Sequence, residues 1–277
     1  MTCAPLPMLA HKVQDHQAEF PCYVQPKLDG VRCLVWMLNG ALACTSRNGK
    51  NLHVPPCLSN LPSAVINELN NGLVLDGELY VHGMRFQTIV SMSKRRDHPL
   101  ADSLEYHIYD SFYSYFDVVS QEAFIDRRAR LIGLFHDATH RGIEMVATEP
   151  CDTPDDLDAK HDALTKSGYE GSIIRDPTAR YVPGRSIGLL KRKDFLDSEY
   201  EITDVREGEG KNAGTAVLTC RTVTGAEFTA TAPGSYEEKA AVLRQRDGYI
   251  GKLVTIKYQE LTDSGIPRFP IATGFPL

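Results

Sequence analysis

Lys27, Asp29 and Arg32 stand within six residues, in the run Lys27-Leu28-Asp29-Gly30-Val31-Arg32. A lysine amine attacks only when unprotonated, so a working nucleophile needs nearby cations or desolvation to lower its pKa. Arg32 supplies such a cation, although the hexapeptide alone also suits a surface hairpin with solvated charges. Leu75-Asp76-Gly77-Glu78-Leu79 carries two carboxylates at the end of the apolar run Leu73-Val74-Leu75. In a strand, residues two apart share a face, so Asp76 and Glu78 point the same way. Leu189-Leu190-Lys191-Arg192-Lys193 likewise puts Lys191 and Lys193 on one side of a strand, where lysines also commonly guard an exposed edge.

The elements that must position these groups follow from hydrophobic period and turn residues. Strands are predicted over Cys22–Pro26, Val31–Leu38, Ala41–Ser46, Gly72–Val81, Glu105–Asp110, Gly171–Arg175 and Gly188–Lys193. Asp29-Gly30, Asn39-Gly40 and Asn48-Gly49 carry the signature of hairpin turns. Helices are predicted over Leu61–Asn70, Phe86–Ser91, Gln121–Phe135 and Pro154–Ser167, the second leading into the basic cluster Lys94-Arg95-Arg96. After Phe195 the character changes. Short strands at Tyr200–Val205, Thr215–Thr222, Glu227–Ala232, Lys252–Glu260 and around Arg268–Ala272, with one helix at Tyr236–Gln245, suit a small OB-type barrel. The chain thus reads as an α+β domain, residues 1–195, followed by an all-β domain, residues 196–277.

With 277 residues, 42% of them hydrophobic and 24% charged, the chain has the composition of a globular protein that buries a sizeable core. A net charge of −6 excludes a surface that is basic all over, though not a local basic channel. Seven scattered cysteines without a C-x-x-C pair fit reduced thiols rather than a disulfide framework or zinc site. No run of 18 apolar residues is present, so no membrane span is expected. The start MTCAPLPMLAHKV lacks the pattern of a secretory signal. These features point to the cytoplasm.

Gln25-Pro26-Lys27-Leu28-Asp29-Gly30-Val31-Arg32 resembles the nucleotide-attachment motif of the covalent nucleotidyltransferases, in the form found in ATP-dependent DNA ligases of the minimal phage and bacterial type. Five further segments resemble the family's later motifs in the right order: Ser46-Arg47-Asn48-Gly49, Leu75–Leu79, Tyr106-His107-Ile108-Tyr109-Asp110, Tyr169-Glu170-Gly171 and Leu189–Lys193. The resemblance implies an α+β nucleotidyltransferase (adenylation) domain and an OB-fold domain. It implies that Lys27 attacks the α-phosphorus of ATP and holds AMP. Gln25 would lie at the adenine edge, Tyr109 would stack on adenine and Glu78 would hold the ribose. Arg32 would contact the ribose or the nick 5′-phosphate, Arg47 would grip that phosphate, and Asp29 would sit near the 3′-OH. Lys191 and Lys193 would clamp the α-phosphate, and Asp29, Asp76 and Glu170 would serve Mg²⁺, a hard ion that binds through oxygen.

The implied partner is nicked double-stranded DNA, the implied state a monomer and the implied setting the cytoplasm of a bacterial or phage-infected cell. Glu207–Gly214, Ile250–Tyr258 and Gly265–Pro270 are similar to the ligase OB domain. That segment is not basic, with nine Lys and Arg against twelve Asp and Glu over residues 196–277, so DNA affinity is expected to be modest and steeply weakened by salt. Only 26 residues precede Lys27, which fits ATP rather than NAD, since NAD-dependent ligases resemble longer chains with an N-terminal domain and a Cys₄ zinc module. One departure stands out. After Arg268-Phe269-Pro270 the family usually continues into an Arg-rich segment that helps expel pyrophosphate, whereas this sequence reads Ile271–Leu277. The alternatives are an RNA ligase or capping-type enzyme on the same fold, or a non-catalytic nucleic-acid-binding OB protein.

Overall fold

The computed structural model describes residues 4–14, 16–114, 121–135, 140–262 and 264–276. They divide into two compact units, Met1–Arg192 and Lys193–Leu277. The first contains, in chain order, β1 (Met8–Lys12), β2 (Cys22–Pro26), β3 (Val31–Leu38), β4 (Ala41–Ser46), β5 (Asn51–Leu52) and α1 (Ser63–Asn70). There follow β6 (Leu73–Tyr80), α2 (Phe86–Lys94), β7 (Glu105–Tyr113), α3 (Phe124–Phe135), β8 (Ile143–Met145) and β9 (Glu149–Cys151). The unit closes with α4 (Pro154–Lys166), β10 (Ser172–Arg175) and β11 (Gly184–Arg192).

These strands form two sheets, one of order β1-β11-β10-β2-β9 and one of order β5-β4-β3-β6-β7-β8. Period-2 alternation decides which residues lie between them. On the five-stranded sheet Cys22, Val24, Ile174 and Leu190 pack with Leu157 of α4, which covers the outer face. Met8, Leu189 and the partly buried Ala10 and Ile173 turn the other way and meet Leu34, Val74 and Phe112 of the six-stranded sheet. The far side of the six-stranded sheet is covered by α1 and α2 through Val65, Leu69, Ile89 and Met92. Four layers result, and the two sheets face each other across the middle.

Several sequence expectations are revised. Asp29-Gly30 does not turn a hairpin, because β2 and β3 belong to different sheets and Lys27–Gly30 is the crossing between them. Gly30 is needed there for space: a Cβ would stand 2.4 Å from the Leu79 carbonyl oxygen. Asn39-Gly40 does turn a hairpin, with both residues at positive φ, 51° and 78°. The α3 helix starts at Phe124 rather than Gln121, since Ala123 forms a bridge with Arg180. The α2 helix runs three residues beyond Ser91 and takes in Lys94. β1 had no counterpart in the sequence reading; it is held by parallel pairing to β11. β11 starts earlier than expected, at Gly184, and ends at Arg192, so Lys193 falls outside the strand and in the second unit.

The second unit has β12 (Leu196–Glu207), β13 (Ala216–Arg221), β14 (Glu227–Thr231), α5 (Tyr236–Arg244), β15 (Leu253–Tyr258) and β16 (Ile271–Gly274). Their order is β14-β13-β12-β15-β16, and the two end strands come into contact, as in a small barrel. Tyr200, Ile202, Leu218, Cys220, Val254 and Ile256 fill the interior. A bulge between Ile202 and Asp204 restores Val205 to the inside. A capping box of Ser235 and Glu238 starts α5. The last strand begins at Ile271 rather than near Arg268, because Phe269 has a φ of 54° and breaks the extended backbone.

Gly77 packs against the next strand so closely that a Cβ would meet the His107 carbonyl oxygen at 2.5 Å. Gly77→Ala should therefore destabilise the protein by about 1–3 kcal/mol, read as a lowered urea midpoint. An unchanged midpoint would show that the β6–β7 approach is looser than described.

Candidate functional site

The site grows from the ends of β2, β3, β6, β7 and β10, where the two sheets face each other. Past Pro26 the ladder between β2 and β10 continues: the Lys27 N–H donates to the Gly171 carbonyl at 2.9 Å, and the Glu170 N–H donates to the Lys27 carbonyl at 3.1 Å. This backbone register brings the Lys27 amine onto the Glu170 carboxylate, with which it forms an ion pair. The side chains are 18% and 5% exposed, so the amine sits at the surface of a cleft and not in bulk solvent.

Arg32 in β3 is registered opposite Glu78 in β6. Its guanidinium grips Asp76 through two bonds, of 2.6 and 2.5 Å, and donates to the Met8 carbonyl at 3.0 Å. Tyr181 donates its hydroxyl to the same Asp76 at 2.5 Å and accepts the Met8 N–H at 3.1 Å. The Arg32 guanidinium also lies 5.0 Å from the centre of the Tyr109 ring. Tyr109 in turn donates to Glu78 at 3.2 Å. Burial pushes the Glu78 carboxyl up to about 7, against the pull of Arg32, Lys27 and the Tyr109 hydroxyl. For Arg32, burial works against the charge, but Asp76, Tyr109 and Tyr181 together outweigh it and hold the guanidinium firmly protonated.

Behind this layer lies a second ion cluster that the sequence reading did not assign. Asp110 in β7 is fully buried. It accepts from Arg127 of α3 at 2.8 and 3.0 Å and from Arg175 of β10 at 2.6 Å. Burial raises the Asp110 carboxyl, yet Arg175 and Arg127 together hold it below its ordinary value. Arg175 also donates to the Gln25 side-chain Oε1 at 2.7 Å, while the Gln25 side-chain NH₂ donates to Thr148 at 2.8 Å and the Tyr109 backbone carbonyl at 3.4 Å. Arg127 and Arg175 escaped notice because a long charged side chain in a helix or at a strand end is usually solvated. The signal available was Arg175 itself, ending the run Glu170-Gly171-Ser172-Ile173-Ile174.

Of the sequence-predicted residues, Arg32, Asp76, Glu78, Tyr109 and Gln25 are joined by the contacts above, and Lys27 is paired with Glu170. Lys191 is on the inter-sheet face, registered with Ile173, which is registered with Gln25. Arg47 lies exposed in the turn between β4 and β5. Lys193 is not carried to the same strand face as Lys191; within the second unit it donates to Gln259 at 3.1 Å. The three carboxylates expected to share a metal ion do not converge: among the described residues no group of three or more His, Cys, Asp or Glu is placed to hold one. Asp76 fails as an open ligand because Arg32 and Tyr181 occupy its oxygens and it is fully buried. Gln25 is 2% exposed, its amide committed between the sheets. The six described cysteines are buried and free. Among the described residues no helix is long and apolar enough to cross a membrane.

A lysine ion-paired in a cleft of two facing sheets, beside arginine and carboxylates and followed by a small barrel, defines a nucleotidyltransferase domain joined to an OB-like domain. The sequence profile of the ATP-dependent DNA ligase domain matches residues 7–193, and that of the DNA ligase OB-like domain matches 207–275. The chain belongs to the ATP-dependent DNA ligase family. It is 26% identical over 269 residues to a DNA ligase of African swine fever virus, with 91% of this chain and 62% of that protein covered. It is 28% identical over 267 residues to a DNA ligase of Haemophilus influenzae, with 95% and 89% covered. It therefore spans less than two-thirds of the viral relative. A solved Lig E DNA ligase shares the fold at a TM-score of 0.78 and 24% identity, covering 98% of this chain and 99% of that one.

Two measurements check the electrostatics. Asp110→Asn leaves two buried guanidinium groups without a counter-charge and should cost about 3–5 kcal/mol in chemical denaturation; a loss below 1 kcal/mol would contradict the cluster's burial. Glu78, ordinarily near 4.5, takes its proton near 7 in the folded protein. Its contribution to stability is thus fully present below pH 4.5 and is lost as the pH rises through 7. Glu78→Gln should raise the Tm relative to wild type more at pH 8 than at pH 5, and an equal difference at both would refute the raised carboxyl.

Proposed function

We propose that this chain is an ATP-dependent DNA ligase that seals a nick bearing a 3′-OH and a 5′-phosphate in duplex DNA, through a lysyl-AMP intermediate. Residues 1–195 form the adenylation domain and 196–277 the OB-fold domain. The observation that carries the reading is the Lys27 amine, poised in the cleft beside Glu170 with Arg32, Glu78 and Tyr109 in one connected set.

The free amine of Lys27 attacks the α-phosphorus of ATP; the nitrogen–phosphorus bond forms as the bond to the β-phosphate oxygen breaks, and pyrophosphate leaves with that electron pair. Glu170, already hydrogen-bonded to the amine, receives its departing proton and passes it to water. Lys191 neutralises phosphate charge on the same sheet face, and Arg32 and Arg47 orient the 5′-phosphate of the nick, so catalysis rests on alignment and charge. Tyr109 and Gln25 bound the adenine end, and Glu78 meets the ribose. Lys193 is assigned to phosphate neutralisation as well.

Mg²⁺ keeps several waters and needs only one or two protein carboxylates besides substrate phosphates. Glu170 and Asp29 suit that demand; Asp76 does not. Bound there, the ion would neutralise charge on the phosphates. The protein acts as a cytoplasmic monomer on nicked double-stranded DNA.

Sealing of a singly nicked duplex, with ATP, NAD and GTP compared and a nicked RNA duplex alongside, tests the reading. ATP alone should support sealing, and DNA should be preferred. Lys27→Ala should abolish AMP labelling and lower ATP-driven sealing by several orders of magnitude; persistent labelling would remove Lys27 from the mechanism.

A further inference from the structure

We infer that Lys12 is a further substrate-binding residue, one that takes the β- and γ-phosphates of the nucleotide and so the pyrophosphate leaving group. The inference rests on the adenylating role proposed for Lys27. Lys12 ends β1 and is registered directly beside Lys191 in β11, through parallel pairing. Lys191 is registered with Ile173 in β10, and Ile173 with Gln25 in β2. Residues in register across adjacent strands share a face, so Lys12, Lys191, Ile173 and Gln25 form one row. That row looks toward the six-stranded sheet, since Ile173 within it, and Leu189 two residues before Lys191, pack in the core between the sheets. A bulge between Ala10 and His11 shifts the pairing so that Lys12 meets Lys191.

The register places two lysines side by side on neighbouring strands, an arrangement suited to a polyanion lying over both. The Lys12 residue is exposed, and its side chain makes no hydrogen bond or ion pair with another described residue. A lysine that only guards a sheet edge needs no particular neighbour, whereas this one is aligned with a second cation on the nucleotide side.

The order of strands assigns the phosphate. Displacement at the α-phosphorus requires the attacking nitrogen and the leaving oxygen to lie in line. Lys27 continues β2, and strands are spaced about 4.8 Å apart, which puts the Lys191 strand roughly 10 Å and the Lys12 strand roughly 14 Å across the sheet from it. A nucleotide whose α-phosphorus meets Lys27 therefore sends its leaving group over Lys191 toward Lys12. As the α–β bond breaks, the added negative charge on pyrophosphate is met by the Lys12 ammonium.

The test compares wild type, Lys12→Ala and Lys12→Arg in three measurements. Calorimetric titration of the nucleotide-free protein with inorganic tripolyphosphate reads the contact without chemistry; Lys12→Ala should weaken binding about 10- to 100-fold, as for loss of a charge-assisted contact, and Lys12→Arg should recover most of it. Formation of the AMP adduct from ATP, and its reversal by added pyrophosphate, should slow by a similar factor. Closure of a nick that already carries AMP involves no pyrophosphate and should stay within about threefold of wild type. Equal tripolyphosphate binding by wild type and Lys12→Ala overturns the inference, as does an equal loss on the pre-adenylated nick. A wild-type protein that binds tripolyphosphate through Lys12 yet forms no adduct would instead sink the ligase reading and leave the phosphate site standing.

Discussion

One buried carboxylate holds the cleft together. Asp110 is fully enclosed, and an isolated charge there would cost several kcal/mol. It is tolerated because Arg175 reaches it from the five-stranded sheet and Arg127 from α3, while Asp110 itself belongs to the six-stranded sheet. A single acceptor thus fixes two sheets and a helix against one another. Its two arginines are saturated in turn: Arg127 also donates to the Glu122 and Ala179 carbonyls at 2.7 and 2.9 Å. Removing any member leaves a buried charge or donor without a partner, so the geometry is held at several points at once.

From that anchor the order spreads to the reactive groups. Arg175 orients Gln25, and two residues further on stands Lys27. Arg32 and Tyr181 tie Asp76 to the Met8 backbone, which also bridges the sheets. Within the cleft the acidic groups are placed selectively. Asp76 is neutralised by Arg32, Glu78 is held near its titration point and Glu170 is spent on Lys27. Such an arrangement suits the polyphosphate binding proposed above without requiring the whole chain to be basic.

Much of this was legible in the sequence because the reactive residues sit on strands whose alternation is plain. Val31–Leu38 and Leu73–Tyr80 carry continuous apolar runs, and Arg32 and Glu78 follow from their register. What was not legible depends on pairing between distant segments. Asp29-Gly30 has the composition of a hairpin, but β2 pairs with β10 and β9, far along the chain, while β3 pairs with β4 and β6 in the other sheet. Met8–Lys12 is too short and too mixed to declare itself as a strand, and only β11 makes it one. Lys191 and Lys193 alternate on paper, yet β11 stops at Arg192. Asp76 looked like an open ligand until Tyr181, more than a hundred residues on, closed it off. Arg127 and Arg175 were unreadable for the same reason: burial of a guanidinium is decided by a carboxylate elsewhere.

The account stands on the chemistry of one nitrogen at the crossing between the sheets. The most direct measurement is peptide mapping by mass spectrometry after incubation with ATP and Mg²⁺. The account predicts one AMP per chain, lost in acid and retained in alkali, on the peptide containing Lys27. AMP carried on any other peptide, or on none while ATP is bound, would contradict it.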